Sequence, residues 1–295
     1  MRIHALILPF AFVALSIVLS GCAASRQSGW DAPPSTTEAS SQEAKALFTQ
    51  AMTPWKTRHE KPSLEQALKL LEQSAAEDPS SLDTLIHLTR GHYLMADAHA
   101  EDNEAKKASF DLATRWGERA LATNEAFKKK VKDEARNVEE ALDTLTTREV
   151  PAMYWTAASL GKWARLSGLG TMLKYKNRIK MLVERVEVLD PQYFHGAVPR
   201  YWGTYYAVAP GFAGGDINKS LQHYQKSLKL ENNYFGTHVL YAENYATRKN
   251  DRELFKKELE FVINGKPESM PELLPEQIIE QRKAKKMMAQ IEDLF

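Results

Sequence analysis

The chain has 295 residues, 43% of them hydrophobic, with 39 Lys and Arg against 38 Asp and Glu and a single cysteine. A chain of this length can bury a core large enough to hold without cross-links, and one thiol cannot form an internal disulfide. The even charge leaves no basic excess for nucleic acid and no acidic excess for cationic partners.

In chain order, Arg2 precedes an apolar run from Ala5 to Val18, which ends in Leu19-Ser20-Gly21-Cys22. A positive start, a short apolar stretch and small residues before a cut form the pattern of a secretory signal peptide, expected here over residues 1–21. Leu-Ser-Gly-Cys resembles the bacterial lipobox, which implies that Cys22 carries the lipid and becomes the first mature residue. Two or more acyl chains give stable membrane attachment. Ala23, where an Asp would favour inner-membrane retention, points by the same resemblance to the outer membrane, with the chain facing the periplasm. Residues 22–41 are small, polar and Pro-containing, and read as a flexible lipidated tether. Residues 42–295 read as one helical domain. No other stretch reaches 18 consecutive apolar residues, so no further span is expected.

Helical period dominates from there. Leu64, Ala67, Leu68, Leu71 and Ala75 share a face, with a capping-box pattern at Ser63 and Gln66 and a stop at Pro79. Ala105, Ala108, Leu112, Trp116 and Ala120 form a second stripe, and Phe127, Val131, Val138, Leu142 and Leu145 a third. Ile179, Leu182, Val183, Val186 and Leu189 form a fourth, halted by Asp190-Pro191. Ile217, Leu221, Tyr224 and Leu228 follow an N-cap at Asp216. Leu254, Leu259 and Val262 end at Gly265 and Pro267, and Ala284, Met287, Met288, Ile291 and Phe295 make the last helix. No alternating strand stands out, so the fold class is all-α. Ala67, Leu71, Ser74 and Pro79 have the spacing of the second helix of a tetratricopeptide repeat. Ile179, Val183, Val186 and Pro191 repeat it loosely, as do Ser220, Tyr224, Ser227 and Asn232. The expected architecture is tetratricopeptide-like helical hairpins, in an array or bundle whose neighbours bury each other's apolar faces.

Enzyme signatures are missing: there is no zincin His pair after His59-Glu60, no Gly-x-Ser-x-Gly elbow and no phosphate loop. His87, His92 and His99 lack the offset of four that places two ligands on one metal. No catalytic residue, metal or cofactor is expected. The informative stretch is 193–216, where seven aromatics accompany Gly196, Gly203, Gly211, Gly214 and Gly215. Tyr201-Trp202 and Tyr205-Tyr206 put rings on two faces of a helix, one for the core and one for a cavity or partner. With Phe212 they are candidate ligand- or partner-binding residues. Arg200 is a candidate carboxylate clamp, or else stacks on a ring or pairs with an acid.

At this segment the chain resembles the T-component (TatT) family of TRAP transporters. The resemblance runs over roughly residues 60–265: Tyr154-Trp155 opening a helix, Leu189-Asp190-Pro191-x-Tyr193, Gly196-Ala197-x-x-Arg200-x-x-Gly203, Pro210, the turn Gly214-Gly215-Asp216, Ser220-x-x-x-Tyr224 and Leu240-x-Ala242-x-x-Tyr245. It implies a periplasm-facing lipoprotein that pairs with the substrate-binding P subunit of a TRAP transporter, as a homo-oligomer with a ligand path. Tyr154 and Trp155 join the candidate site on this ground. The alternative reading is a general scaffold lipoprotein of the envelope.

Overall fold

The computed structural model describes residues 24, 26–30, 38–133 and 137–295. Cys22 and the apolar leader lie outside the described residues. Among these, all regular structure is helical, as the 3.6-residue period requires. The first half contains α1 (Glu38–Trp55), α2 (Lys61–Glu77), α3 (Leu82–Leu94), α4 (Asn103–Leu121), short helices α5 (Glu125–Lys128) and α6 (Val138–Ala141), α7 (Val150–Leu166) and α8 (Leu169–Leu189). The second contains α9 (Tyr193–Val208), α10 (Ile217–Leu230), α11 (Phe235–Leu240), α12 (Thr247–Lys249), α13 (Arg252–Asn264), α14 (Leu274–Met288) and α15 (Ile291–Leu294). Two π turns, Met95–His99 and Tyr241–Ala246, extend α3 and α11.

Helices packed along their length and joined by short connections form successive hairpins: α1 with α2, α3 with α4, α7 with α8, α9 with α10, and α13 with α14. The small residues of the repeat pattern sit where these hairpins cross. Ser74 Oγ donates to Ala44 O at 2.8 Å, Ser220 Oγ to Gly203 O at 2.7 Å and Ser227 Oγ to Gly196 O at 3.0 Å, all three serines fully buried. A larger side chain at any of them would push the paired helix away, and the hydroxyl satisfies a helix carbonyl at the contact. Gly203 faces the Tyr224 ring so closely that a Cβ there would lie 2.9 Å from ring atoms.

Asp216 caps α10 as its position predicts, accepting from the backbone N–H of Asn218 at 3.0 Å and of Lys219 at 3.1 Å. Asp216→Ala should lower stability by about 1 kcal/mol, read as a shift of the urea midpoint at unchanged slope. The preceding turn depends on glycine: Gly214 has φ +97°, and a Cβ on Gly215 would lie 1.8 Å from Ala209 O.

Four expectations need correction. The Ser63–Gln66 capping box does not form, because α2 already starts at Lys61 with Pro62 in its first turn. The buried face of α4 is Phe110, Ala113, Gly117, Ala120 and Leu121, while Ala105 and Ala108 are exposed. Residues 125–145 bury Phe127, Val138, Leu142 and Leu145 but in broken pieces. Asn124 Nδ2 donates to Thr144 O at 3.2 Å, whereas twenty residues of straight helix would part them by about 30 Å. Finally, part of the expected tether is seated on the domain. Ala24 N donates to Thr171 Oγ1 at 2.9 Å, Gly29 N donates to Glu118 Oε2 at 2.7 Å, and the Trp30 ring packs on Phe127. Arg26 pairs with Asp111 at 2.8 Å and with Glu118 at 2.6 Å. Glu118 is only 1% exposed, so its charge is tolerable only because Arg26 reaches it.

Helix α14 closes the array on its beginning. Glu276 on α14 accepts from Arg58 Nε, after α1, at 2.8 Å and from Arg90, on α3, at 2.6 Å. Burial opposes the Glu276 charge, but Arg90 and Arg58 outweigh it and hold the carboxyl below its usual range. Beside it, Lys283 pairs with Glu280 at 3.0 Å and with Asp97 of the π turn, to which Lys162 of α7 also donates at 3.2 Å. Ile279 packs in the main core alongside.

Candidate functional site

The segment 193–208 is not the simple helix its spacing predicts. Phe194 (φ +46°), His195 (φ +56°) and Gly196 (φ +74°) make a left-handed turn before the right-handed helix resumes. That conformation costs a residue with a Cβ on the order of 1–2 kcal/mol, so something must hold it. Arg200 does: its Nη1 donates to His195 O at 3.0 Å and to Thr237 Oγ1 at 3.3 Å, and its Nη2 to Phe194 O at 3.2 Å. Its guanidinium carbon sits 4.4 Å from the centroid of the Tyr234 ring. Of the readings open for Arg200, ring stacking is the one the structure shows. The donors expected for a ligand carboxylate are bound to backbone carbonyls instead. The residue is 3% exposed.

The turn throws the Phe194 ring against Trp155, with centroids 5.1 Å apart, and against Tyr234 at 5.8 Å. Beyond it, the paired aromatics divide as their helical positions require. Tyr201 and Tyr205 stack at 6.5 Å and 13° and face a cavity. Trp202 turns into the core, 5% exposed, with Nε1 donating to Glu187 at 3.3 Å. Tyr206 lies on Trp202 and His223. Tyr205 OH donates to Ala213 O at 2.7 Å, tying the helix to the Gly214-Gly215 turn. Phe212 is 76% exposed beside it.

Two cavities meet at this helix. The first, about 320 Å³, lies between α7 (Tyr154, Ala158, Gly161), α8 (Leu169, Met172, Leu173, Ile179) and α9 (Tyr201, Thr204, Tyr205, Val208). The second, about 470 Å³, lies between the α3 end (Tyr93, Asp97), α7 (Trp155), the left-handed turn (Phe194), α11 (Val239) and α14 (Glu276, Ile279, Glu280, Lys283). Tyr93, Tyr154, Lys162, Arg165, Arg200, Leu240 and Glu243 border both, so the spaces adjoin. The first is walled by apolar and aromatic groups and has the size of a small-molecule site. The second is rimmed by charges. Burial raises the hydroxyl pKa of Tyr93 and Tyr201, so both remain neutral hydrogen-bonding groups. Burial opposes the Asp97 charge, but Lys162 and Lys283 overcome it and keep the carboxylate ionised.

Of the residues singled out in the sequence, Tyr154, Arg200, Tyr201 and Tyr205 line the first cavity, Trp155 only the second, and Trp202, Tyr206 and Phe212 neither. Gly214, Gly215 and Asp216 shape the turn near the first cavity. Tyr93, Gly161, Lys162, Thr204 and Glu243 lie outside the residues singled out from the sequence, and Leu240 enters only through the family resemblance. The run Ala157-Ala158-Ser159 with Gly161, between Tyr154 and Trp163, is the signal that could have revealed them, since small residues on a helix flanked by rings leave room. His87 Nδ1 meets Asp83 O at 2.8 Å, His92 meets Glu72 at 3.2 Å and His99 meets Arg58 O at 3.3 Å. No group of three or more potential metal ligands occurs among the described residues.

The family model described as TRAP transporter T-component matches residues 61–295, which include every helix bordering the two cavities. The chain belongs to the TRAP transporter T-component family. A curated relative of the T-component, an uncharacterized protein of Treponema pallidum (strain Nichols), is 26% identical over 214 residues. The alignment takes in 70% of the T-component chain and 66% of the relative, so slightly under two-thirds of the relative's own length is spanned. The family is an accessory part of a transport system, and the matched region takes in the left-handed turn, the aromatic pairs and the closing helix α14.

Proposed function

We propose that this T-component is lipid-anchored through Cys22 to the outer membrane, faces the periplasm, and docks a solute-binding protein of a TRAP-type uptake system as a homo-oligomer. Its adjoining cavities take up the ligand. The observation that carries this reading is the pair of cavities sharing a wall at Tyr154, Lys162 and Arg200. A helical scaffold that only held other proteins together would need its outer faces, with no space kept open inside. No described helix is long and apolar enough to cross a membrane, and an acyl anchor at Cys22 supplies the attachment.

The docking part is tested with the full chain on membranes of its producing organism, used to capture proteins from periplasmic extract. Recovery of a solute-binding protein supports the reading. Recovery of envelope assembly proteins in its place transfers it to the scaffold alternative. The cavity part is tested at Gly161, where a Cβ would meet only Ile179 Cγ2, at 3.9 Å. Gly161→Phe should place a ring in the first cavity, with no atom of another helix nearer than Ile179 Cγ2 to its Cβ. Binding of the apolar fluorophore N-phenyl-1-naphthylamine should fall by about tenfold, the worth of 1.4 kcal/mol, at an unchanged unfolding midpoint. Unaltered probe binding would dissociate the cavity from ligand uptake.

A further inference from the structure

We infer that the rim of the first cavity is a membrane-contacting face, by which the body rests on an anionic lipid surface; this rests on the anchor proposed at Cys22. Three observations converge on the rim. The first is exposed apolar surface from two elements. Leu169 and Leu173, one turn apart on α8, are 54% and 43% exposed, and Phe212, in the turn between α9 and α10, is 76% exposed. Leu169, Leu173 and the Ala213 that follows Phe212 all line the cavity. Isolated exposed apolar residues are ordinary, but a group around one opening marks a contact surface.

The second observation is where the chain leads. Ala24 N is held by Thr171 Oγ1, near the start of α8 on the buried face opposite Leu169 and Leu173. Arg26 and Trp30 fix the following residues. Cys22 lies two residues before Ala24, and two extended residues span at most about 7 Å. The anchor proposed at Cys22 therefore joins the described chain beside the first turn of α8, the helix start that also carries Leu169 and Leu173.

The third is charge. The whole chain is balanced, yet residues 169–183 carry Lys174, Lys176, Arg178 and Lys180 and no acidic residue. Arg165 adds another cation at the end of α7. Arg178 pairs with Glu139 at 3.6 Å and Lys180 with Glu184 at 3.4 Å. Lys174, Lys176 and Arg165 show no carboxylate partner among the described residues. Apolar side chains flanked by free cations form the pattern of an interfacial surface on anionic headgroups. The first cavity then opens at the bilayer surface.

The test uses the full lipidated chain in vesicles of phosphatidylethanolamine and phosphatidylglycerol that contain a nitroxide-labelled lipid. The only native cysteine is Cys22, which the lipid occupies, so Leu173→Cys and Phe212→Cys each accept one bimane label. Val188→Cys is the control, 73% exposed and about 22 Å further along α8 at 1.5 Å per residue. The labels at 173 and 212 should be quenched at least about twofold more than the label at 188, as burial in the headgroup region requires. Replacing phosphatidylglycerol by phosphatidylcholine should reduce that difference. Equal quenching at all three sites, on vesicles that carry the protein through flotation, overturns the proposal and leaves the anchor standing. Labels at 173 and 212 that are shielded only when a solute-binding protein is added assign the face to that protein and overturn it as well. A protein that does not float with the vesicles overturns the anchor and this face together.

Discussion

Glu276→Ala is expected to cost about 3–5 kcal/mol of folding stability, the loss seen when one partner of a buried ion pair is removed. The carboxylate is 3% exposed and serves two cations at once, Arg58 and Arg90. Removing it strands both guanidiniums against the Trp55 ring, which lies 5.1 Å from Arg58 and 5.9 Å from Arg90. Glu276→Gln keeps an acceptor and should lose less. Urea unfolding measures both, and a loss under about 1 kcal/mol would show that the closure does not depend on this pair. The same group sets a pH dependence. Its folded pKa is depressed, so its contribution is complete above the unfolded carboxyl value of about 4.3 and disappears as pH falls through the lower folded value. Asp97, also depressed, acts in the same direction. Glu280, raised by burial, partly opposes them, because its protonation favours the folded state. Stability should fall on acidification below about pH 4, with the Glu276→Ala variant showing a shallower decline.

Arg200→Met should be the second most damaging single change, at about 2–4 kcal/mol. Methionine fills a similar volume but leaves Phe194 O, His195 O and Thr237 Oγ1 without their donor. The left-handed turn then loses the contacts that offset its strain. Arg200→Lys should recover little, because one ammonium cannot span both carbonyls while lying flat on Tyr234. Tyr201 and Thr204 follow on the same helix and line the first cavity, so binding of the naphthylamine probe should weaken along with stability. A variant that loses stability but binds the probe as before would confine Arg200 to the fold.

These two residues also mark the limit of sequence reading. The helical period, the Asp216 cap and the close crossings at Ser74, Ser220 and Ser227 are local, and spacing alone exposes them. The left-handed turn is invisible because Phe and His are poor residues for that conformation; its support comes from Arg200, five and six residues away. The buried face of α4 is hidden in the sequence because Glu118 looks like a surface residue until Arg26, 92 positions earlier, covers it. Trp202 and Tyr205 could be assigned to two faces of one helix, but which face meets a cavity depends on the small residues of α7. The resemblance carried by Gly196, Arg200, Gly203 and Gly214-Gly215-Asp216 agrees with the family match over residues 61–295, although most of those residues shape backbone turns and helix contacts.

Closure between Arg58 and Glu276 joins positions 218 residues apart. In an unfolded chain, bringing such distant points together costs about 5 kcal/mol of chain entropy, against about 2 for the connection between α9 and α10. The hairpins can therefore assemble one after another as the polypeptide is made, while the closing contact waits until α14 has been made. The second cavity, walled by α14 on one side, cannot close before then. A polypeptide ending before Leu274 would have its hairpins but only an open groove where that cavity stands.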